Sequence, residues 1–177
     1  AAGHDNIGYD LRVKVGRDLV EFGTGLALSQ VLDHVGVQAV VGDWEFDGLV
    51  GRTVGSQFDF DRSRPIDRER RTFFGAQAQY LGWDDHRPFA YVLWQRDHNN
   101  EIVPSPLQQF DYDSFYVGLG SRGEIVQNLR YSTEWVYESG HSFGNRRYLH
   151  DDVIRAWAFD FELEYLFDVH THPRASL

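Results

Sequence analysis

The chain has 177 residues, with 17 Lys and Arg against 27 Asp and Glu, for a formal net charge of −10. That length suits a single domain over residues 1–177, and the acidic balance argues against a nucleic-acid surface, which needs clustered Lys and Arg. The absence of Cys excludes a disulfide scaffold and thiol chemistry; no apolar run approaches the roughly 18 residues of a membrane helix, so only strands could span lipid.

In chain order, strands are expected at Tyr9 to Val15, Leu19 to Leu28, His34 to Val41, Trp44 to Val54, Arg70 to Trp83, Arg87 to Asp97, Phe110 to Gly120, Ile125 to Glu138 and Val153 to Asp168. The first two are weakly patterned and also read as one bent strand. Gly23 and Gly25 there allow a bend or turn rather than a phosphate loop, since no GK[ST] and no helix follow. From Gly42 onward the connections alternate in length. Gly42–Asp43, Asp84 to His86 and Ser121 to Glu124 are tight, whereas Gly55 to Glu69, His98 to Gln109 and Ser139 to Asp152 are long and polar. Tight Asp/Gly turns make hairpins. Regular alternation puts the long loops at one end of the sheet, as outer-membrane barrels separate extracellular loops from periplasmic turns.

The strands carry a strict period of two, which places alternate side chains on opposite faces. In VIRAWAFDFELEYLFD, Trp157, Phe159, Phe161, Leu163, Tyr165 and Phe167 share one parity, and Ala156, Ala158, Asp160, Glu162 and Glu164 the other. Leu129, Tyr131, Thr133, Trp135 and Tyr137 alternate likewise with Arg130, Ser132, Glu134 and Glu138; Phe74, Ala76, Ala78 and Tyr80 alternate with Gln77 and Gln79. Arg87 to Asp97 is apolar on both faces. The aromatic share of 15% and mean hydropathy of −0.46 are compatible with a wall that faces lipid on one side and water on the other. Aromatics near strand ends, among them Tyr80, Trp83, Tyr112, Phe115, Trp135, Tyr137, Tyr165 and Phe167, suit interfacial girdles.

The expected fold is therefore all-β, an antiparallel up-and-down meander forming a transmembrane β-barrel or an incomplete part of one, with about nine strands, the last of them about three times the usual soluble length of roughly 5–6 residues. The expected pore-lining residues are Gln77, Gln79, Arg130, Glu134, Glu138, Asp160, Glu162 and Glu164. Asp160, Glu162 and Glu164, about 6.6 Å apart along a strand, would repel in a dry core; a watery lumen accommodates them. With Arg130 and Glu134 they are expected to form an opposed-charge ladder.

Catalytic and metal chemistry find little support. His141, His150, Asp151 and Asp152 share a loop but form no triad by spacing. His170 and His172 in VHTHP lack a third ligand, and Asp59, Asp61 and Asp67 lack EF-hand spacing. No enzyme activity, metal or cofactor is expected. With no Met, even at position 1, the chain reads as a processed product, a trimmed chain or an internal fragment.

Four segments resemble the alginate-export family of outer-membrane porins: VGRDLVEFGTG at Val15 to Gly25, GDWEFDGLVGR at Gly42 to Arg52, RRTFFGAQAQY at Arg70 to Tyr80 and HDDVIRAWAFDFELEYLF at His150 to Phe167. The resemblance implies a large barrel of well over a dozen strands, of which this chain would be roughly half. It also implies a Gram-negative outer-membrane location and passage or export of a hydrophilic solute, such as the anionic polysaccharide alginate. The implied partners are outer-membrane lipid, lipopolysaccharide and periplasmic export components. A pore for a polyanion calls for Arg and Lys, whereas the inward faces read here carry mainly acids. The rival from another class is a soluble β-sandwich or small barrel that binds carbohydrate through exposed aromatics such as Trp83, Trp94 or Trp135; it predicts inward-facing aromatics and outward-facing acids along the patterned strands.

Overall fold

The computed structural model describes residues 9–55, 70–98, 108–109, 112–145, 150–167 and 174–176, and side chains within 9–55, 70–98, 112–141 and 153–167. Its strands are β1 (Tyr9–Phe22), β2 (Leu28–Val41), β3 (Trp44–Thr53), β4 (Arg71–Tyr80), β5 (His86–Asp97), β6 (Gln108–Gln109), β7 (Asp113–Val126), β8 (Leu129–Asn145), β9 (His150–Leu166) and β10 (Arg174–Ser176). All belong to one sheet in the order β1-β2-β3-β4-β5-β7-β8-β9-β10, each pair antiparallel, with the two-residue β6 set against β8. The fold is thus all-β, an up-and-down meander whose long strands follow chain order. Among the described residues there is no helix, and β1 and β9 are not paired with each other.

Three boundaries differ from the sequence expectation. The weakly patterned start is a long hairpin, β1 against β2, whose turn at residues 23–27 falls inside the strand expected over Leu19 to Leu28. Gly23 and Gly25, at φ +59° and +97°, take the left-handed backbone that an L side chain disfavours, and the Gly25 amide donates to the Phe22 carbonyl at 2.9 Å. The turn expected at Ser121 to Glu124 instead lies at Gln127 and Asn128. Asn128 accepts a positive φ of 68°, and its amide donates to Glu124 Oε1 at 2.6 Å. Finally, β8 and β9 stay paired out to Asn145 and His150, so most of the loop expected over Ser139 to Asp152 is ladder.

The parity reading is visible in burial. One face of the sheet presents Tyr9, Leu11, Val13, Val15, Val35, Val37, Trp44, Phe46, Val50, Phe74, Val92, Trp94, Phe115, Leu119, Trp135, Tyr137, Trp157, Phe159 and Phe161, all exposed. Trp157 is 73% exposed, Phe159 61% and Phe161 54%. On the opposite, inward face, side chains from non-adjacent strands meet: Phe22, Leu28, Leu32, Leu49, Phe73, Phe89, Tyr91, Leu93 and Val136 form one buried cluster. The Tyr91 side chain of β5 reaches Glu134 of β8 across β7, where Gly118 and Gly120 leave room for the rings. The apolar character of both faces of β5 follows: Phe89, Tyr91 and Leu93 fill the interior, while Val92 and Trp94 remain outside.

Candidate functional site

All eight residues expected to line a pore share the inward face. They divide into a buried group and an open one. The buried group is organised by the β1–β2 hairpin. Register pairs β3 with β2 only as far as Thr53 against Leu32, so the hairpin beyond that point is free of β3, and it folds over the inward face. Its tip reaches β4, β5 and β8. The Gly23 amide donates to Gln77 Oε1 at 2.7 Å; the Thr24 amide and hydroxyl both donate to Glu134 Oε2 at 2.5 Å. The Tyr91 hydroxyl donates to the other oxygen, Glu134 Oε1. Glu134 is fully buried, and these donors replace the water that its oxygens have lost.

Packing makes room for this crossing. Phe22 meets Tyr91 edge-on at 5.8 Å between ring centroids. Its ring lies over Gly75, where a Cβ would come within 2.6 Å of Phe22 Cζ. The Tyr91 and Phe89 rings likewise occupy the space that side chains at Gly118 and Gly120 would take. These glycines of β4 and β7 are seats for aromatic rings from neighbouring elements.

Glu138, near the long-loop end, accepts hydrogen bonds from the Tyr112 hydroxyl at 2.6 Å and Ser114 Oγ at 2.7 Å. Burial, reinforced by that carboxylate, pushes the Tyr112 phenol up. Gln79, also buried, accepts from Arg122 Nη2 at 3.3 Å, and the Arg122 guanidinium lies 5.8 Å from the Phe89 ring centroid.

The open group sits toward the tight turns. Arg130, Glu162 and Glu164 line a cavity of about 560 Å³ with Arg87, Arg122 and Glu124. Register sets Arg130 opposite Glu164 and Ser132 opposite Glu162, which matches the expected ladder at its Arg130 end. The ladder fails at Glu134, which lies opposite Asp160, acid against acid; Glu134 is engaged instead by Thr24 and Tyr91. Sequence reasoning missed Thr24 and Tyr91, and also the arginines Arg87 and Arg122, which face each other across β5 and β7. Arg122 was hidden by reading Ser121 to Glu124 as a turn.

His141 is exposed, and among the described residues no group of three or more His, Cys, Asp or Glu could hold a metal ion. His150, Asp151 and Asp152 belong to β9, but their side chains lie outside the described residues, as do Asp59, Asp61, Asp67, His170 and His172 altogether.

The outward face has the complementary character. In register, Arg17 stands beside Asp33, Asp33 beside Arg52, Arg52 beside Thr72 and Thr72 beside Arg96, a polar row across five strands. Carried on in register through Asp113, His141 and Val153, this row is the margin of a belt that runs to the tight-turn end, in which Arg155, one step below the row, is the sole Asp, Glu, Lys or Arg among the described outward positions on β1 to β9. From Arg96 to His86, β5 runs about 34 Å at ~3.4 Å per residue, or about 26 Å at a barrel tilt of ~40°. Trp44, Tyr80 and Trp83 cluster at the tight-turn end, with centroids 5.0 Å and 5.7 Å apart along that chain of contacts. The chain matches no protein-family model, no curated protein and no solved structure.

Proposed function

We propose that this chain forms the wall of a porin-like outer-membrane channel through which a hydrophilic solute diffuses or is exported. The observation that carries the reading is the apolar outward belt, whose one described charge, Arg155, sits at its upper margin. Its height of about 26 Å compares with the ~25 Å apolar band of barrels in the outer membrane, and it stands back to back with a face rich in Arg, Glu and Gln. Exposed rings on Trp157, Phe159 and Phe161, with Asp160 and Glu162 on the opposite face, are the reverse of the inward-facing aromatics and outward-facing acids of a sandwich. The long-loop end is then the cell exterior, and the cavity around Arg87, Arg122 and Arg130 lies at the periplasmic mouth.

The solute class follows from that mouth and from the resemblance to alginate-export porins. Arg87, Arg122 and Arg130 supply guanidinium groups for an anionic polysaccharide such as alginate, while Glu124, Glu162 and Glu164 keep the lining mixed in sign. Lipid, lipopolysaccharide and periplasmic export components are the corresponding partners; neither catalysis nor a cofactor enters. The test is phase partition followed by planar-bilayer recording of the full chain. Partition into detergent and stepwise conductance support the reading, whereas a chain that is monomeric and soluble without detergent overturns it.

A further inference from the structure

The upper margin of the apolar belt has a chemistry the channel reading leaves unused. Among outward positions on β1 to β9 whose side chains are described, the charged residues are Arg17, Glu21, Asp33, Arg52, Arg96, Asp113 and Arg155, all toward the long-loop end. Across β1 to β5 one register row sets three arginines, Arg17, Arg52 and Arg96, against a single acid, Asp33, although the chain as a whole has a net charge of −10. Beneath this margin lies a shallow groove of about 420 Å³. Val15, Val35 and Val50 form its apolar lining, and Arg17, Asp33, Arg52 and Thr72 its polar one.

The three arginines are held in different ways. Arg17 grips Asp33 with both arms of its fork, Nε to Oδ1 at 2.8 Å and Nη2 to Oδ2 at 3.0 Å. Arg96 lies over the Trp94 ring, 5.4 Å from its centroid. Arg52 is exposed and stands between them, two strands and thus about 10 Å from each. A guanidinium row at this height, above a valine floor continuous with the lipid-facing wall, matches an amphiphile with an anionic head and an acyl tail. Arginine binds phosphate through paired N–H donors.

We propose that this groove is a binding site for a phosphorylated glycolipid of the outer leaflet. The head phosphate lies at Arg52, with Arg96 flanking, and an acyl chain lies along Val50, Val35 and Val15. Asp33 acts as a brake on the site, because it occupies the fork of Arg17 and adds a negative charge next to the phosphate. The inference rests on the membrane reading above, since only that reading puts the groove at a leaflet.

Native mass spectrometry of the full chain in detergent micelles tests it, with diphosphoryl lipid A, the same lipid with its phosphates removed, and inorganic phosphate as probes. Diphosphoryl lipid A is expected to bind, the dephosphorylated lipid to bind about tenfold more weakly, and inorganic phosphate not to displace the lipid. Arg52→Gln should weaken lipid A binding about tenfold, the worth of a charge-assisted hydrogen-bonded pair. Asp33→Asn should tighten it, a gain that misfolding cannot imitate. Arg12→Gln, an exposed inward position on β1, should change nothing. Equal binding of the two lipids, no effect of Arg52→Gln, or weakening by Asp33→Asn overturns the site. Displacement by inorganic phosphate makes it a simple anion site and equally overturns the lipid assignment. A chain that enters micelles and conducts ions but gives any of these results loses the lipid site alone. One that needs no detergent and takes up no lipid loses the channel reading as well.

Discussion

Replacing Glu134 by Ala should release the β1–β2 hairpin tip from the inward face while leaving the sheet intact. Three donors converge on this carboxylate: the Thr24 amide, the Thr24 hydroxyl and the Tyr91 hydroxyl. A hydrogen bond to a charged acceptor contributes about 1.5–3 kcal/mol, and a donor left buried without a partner costs about 1–3 kcal/mol. These terms are not additive, and a released tip can hydrogen-bond to water, so the tip should lose about 3 kcal/mol of docking stability. At about 1.4 kcal/mol per decade, that is roughly a hundredfold rise in the opening equilibrium. Amide hydrogen exchange at Gly23 and Thr24 in the folded, detergent-solubilised protein reads it directly, because those amides donate to Gln77 and Glu134 only while the tip is docked. Amides within β8 and β9 should keep their protection. Glu134→Gln retains an acceptor oxygen without the charge and should fall between, near a tenfold increase. Exchange at Thr24 that changes less than about threefold in Glu134→Ala would refute the assignment of Glu134 as the anchor of the tip.

Other perturbations report on different parts of the structure. Gly118→Ala places a methyl in the space of the Tyr91 ring and should destabilise the fold by about 1–3 kcal/mol through overpacking, read as a lowered denaturation midpoint; an unchanged midpoint would mean that the ring does not sit there. Phe159→Arg, at an outward position 61% exposed, should lower stability by about 2–4 kcal/mol when the protein is refolded into lipid, and hardly at all if that face meets water. Glu162→Ala removes a carboxylate from the periplasmic cavity and should reduce cation preference in planar bilayers, whereas Arg122→Gln should raise it; unchanged reversal potentials in both variants would count against a lining role.

The legibility of this chain varied with how local the signal is. The face assignment of β9 could be read from Trp157, Phe159 and Phe161 against Ala158, Asp160 and Glu162, because period two is a property of a single strand. The shared face of Gln77, Gln79, Arg130, Glu134 and Glu138 followed in the same way. What each of those residues does was not readable, because that depends on contacts between strands distant in sequence. Glu134 and Asp160 have the same parity and charge, yet Glu134 is buried under Thr24, 110 positions away, and Asp160 is not. The aromatic interior was missed because Phe89, Tyr91 and Leu93 look superfluous on a strand with a second apolar face, until the crossing hairpin supplies Phe22 as their partner. Arg122 was missed for a local reason: Ser121, Gly123 and Glu124 carry turn-like composition, whereas the turn belongs to Asn128, whose left-handed backbone closes the hairpin.

Single-cysteine scanning reads which face of β9 meets lipid, since the chain has no Cys to confuse the labelling. Cysteines placed one at a time from Trp157 to Glu162 of the lipid-reconstituted chain would be challenged with a membrane-impermeant maleimide. Positions 158, 160 and 162 should react, while 157, 159 and 161 should be protected. The opposite alternation, or equal reactivity at all six positions, would contradict a wall that turns its rings to lipid and its carboxylates to water.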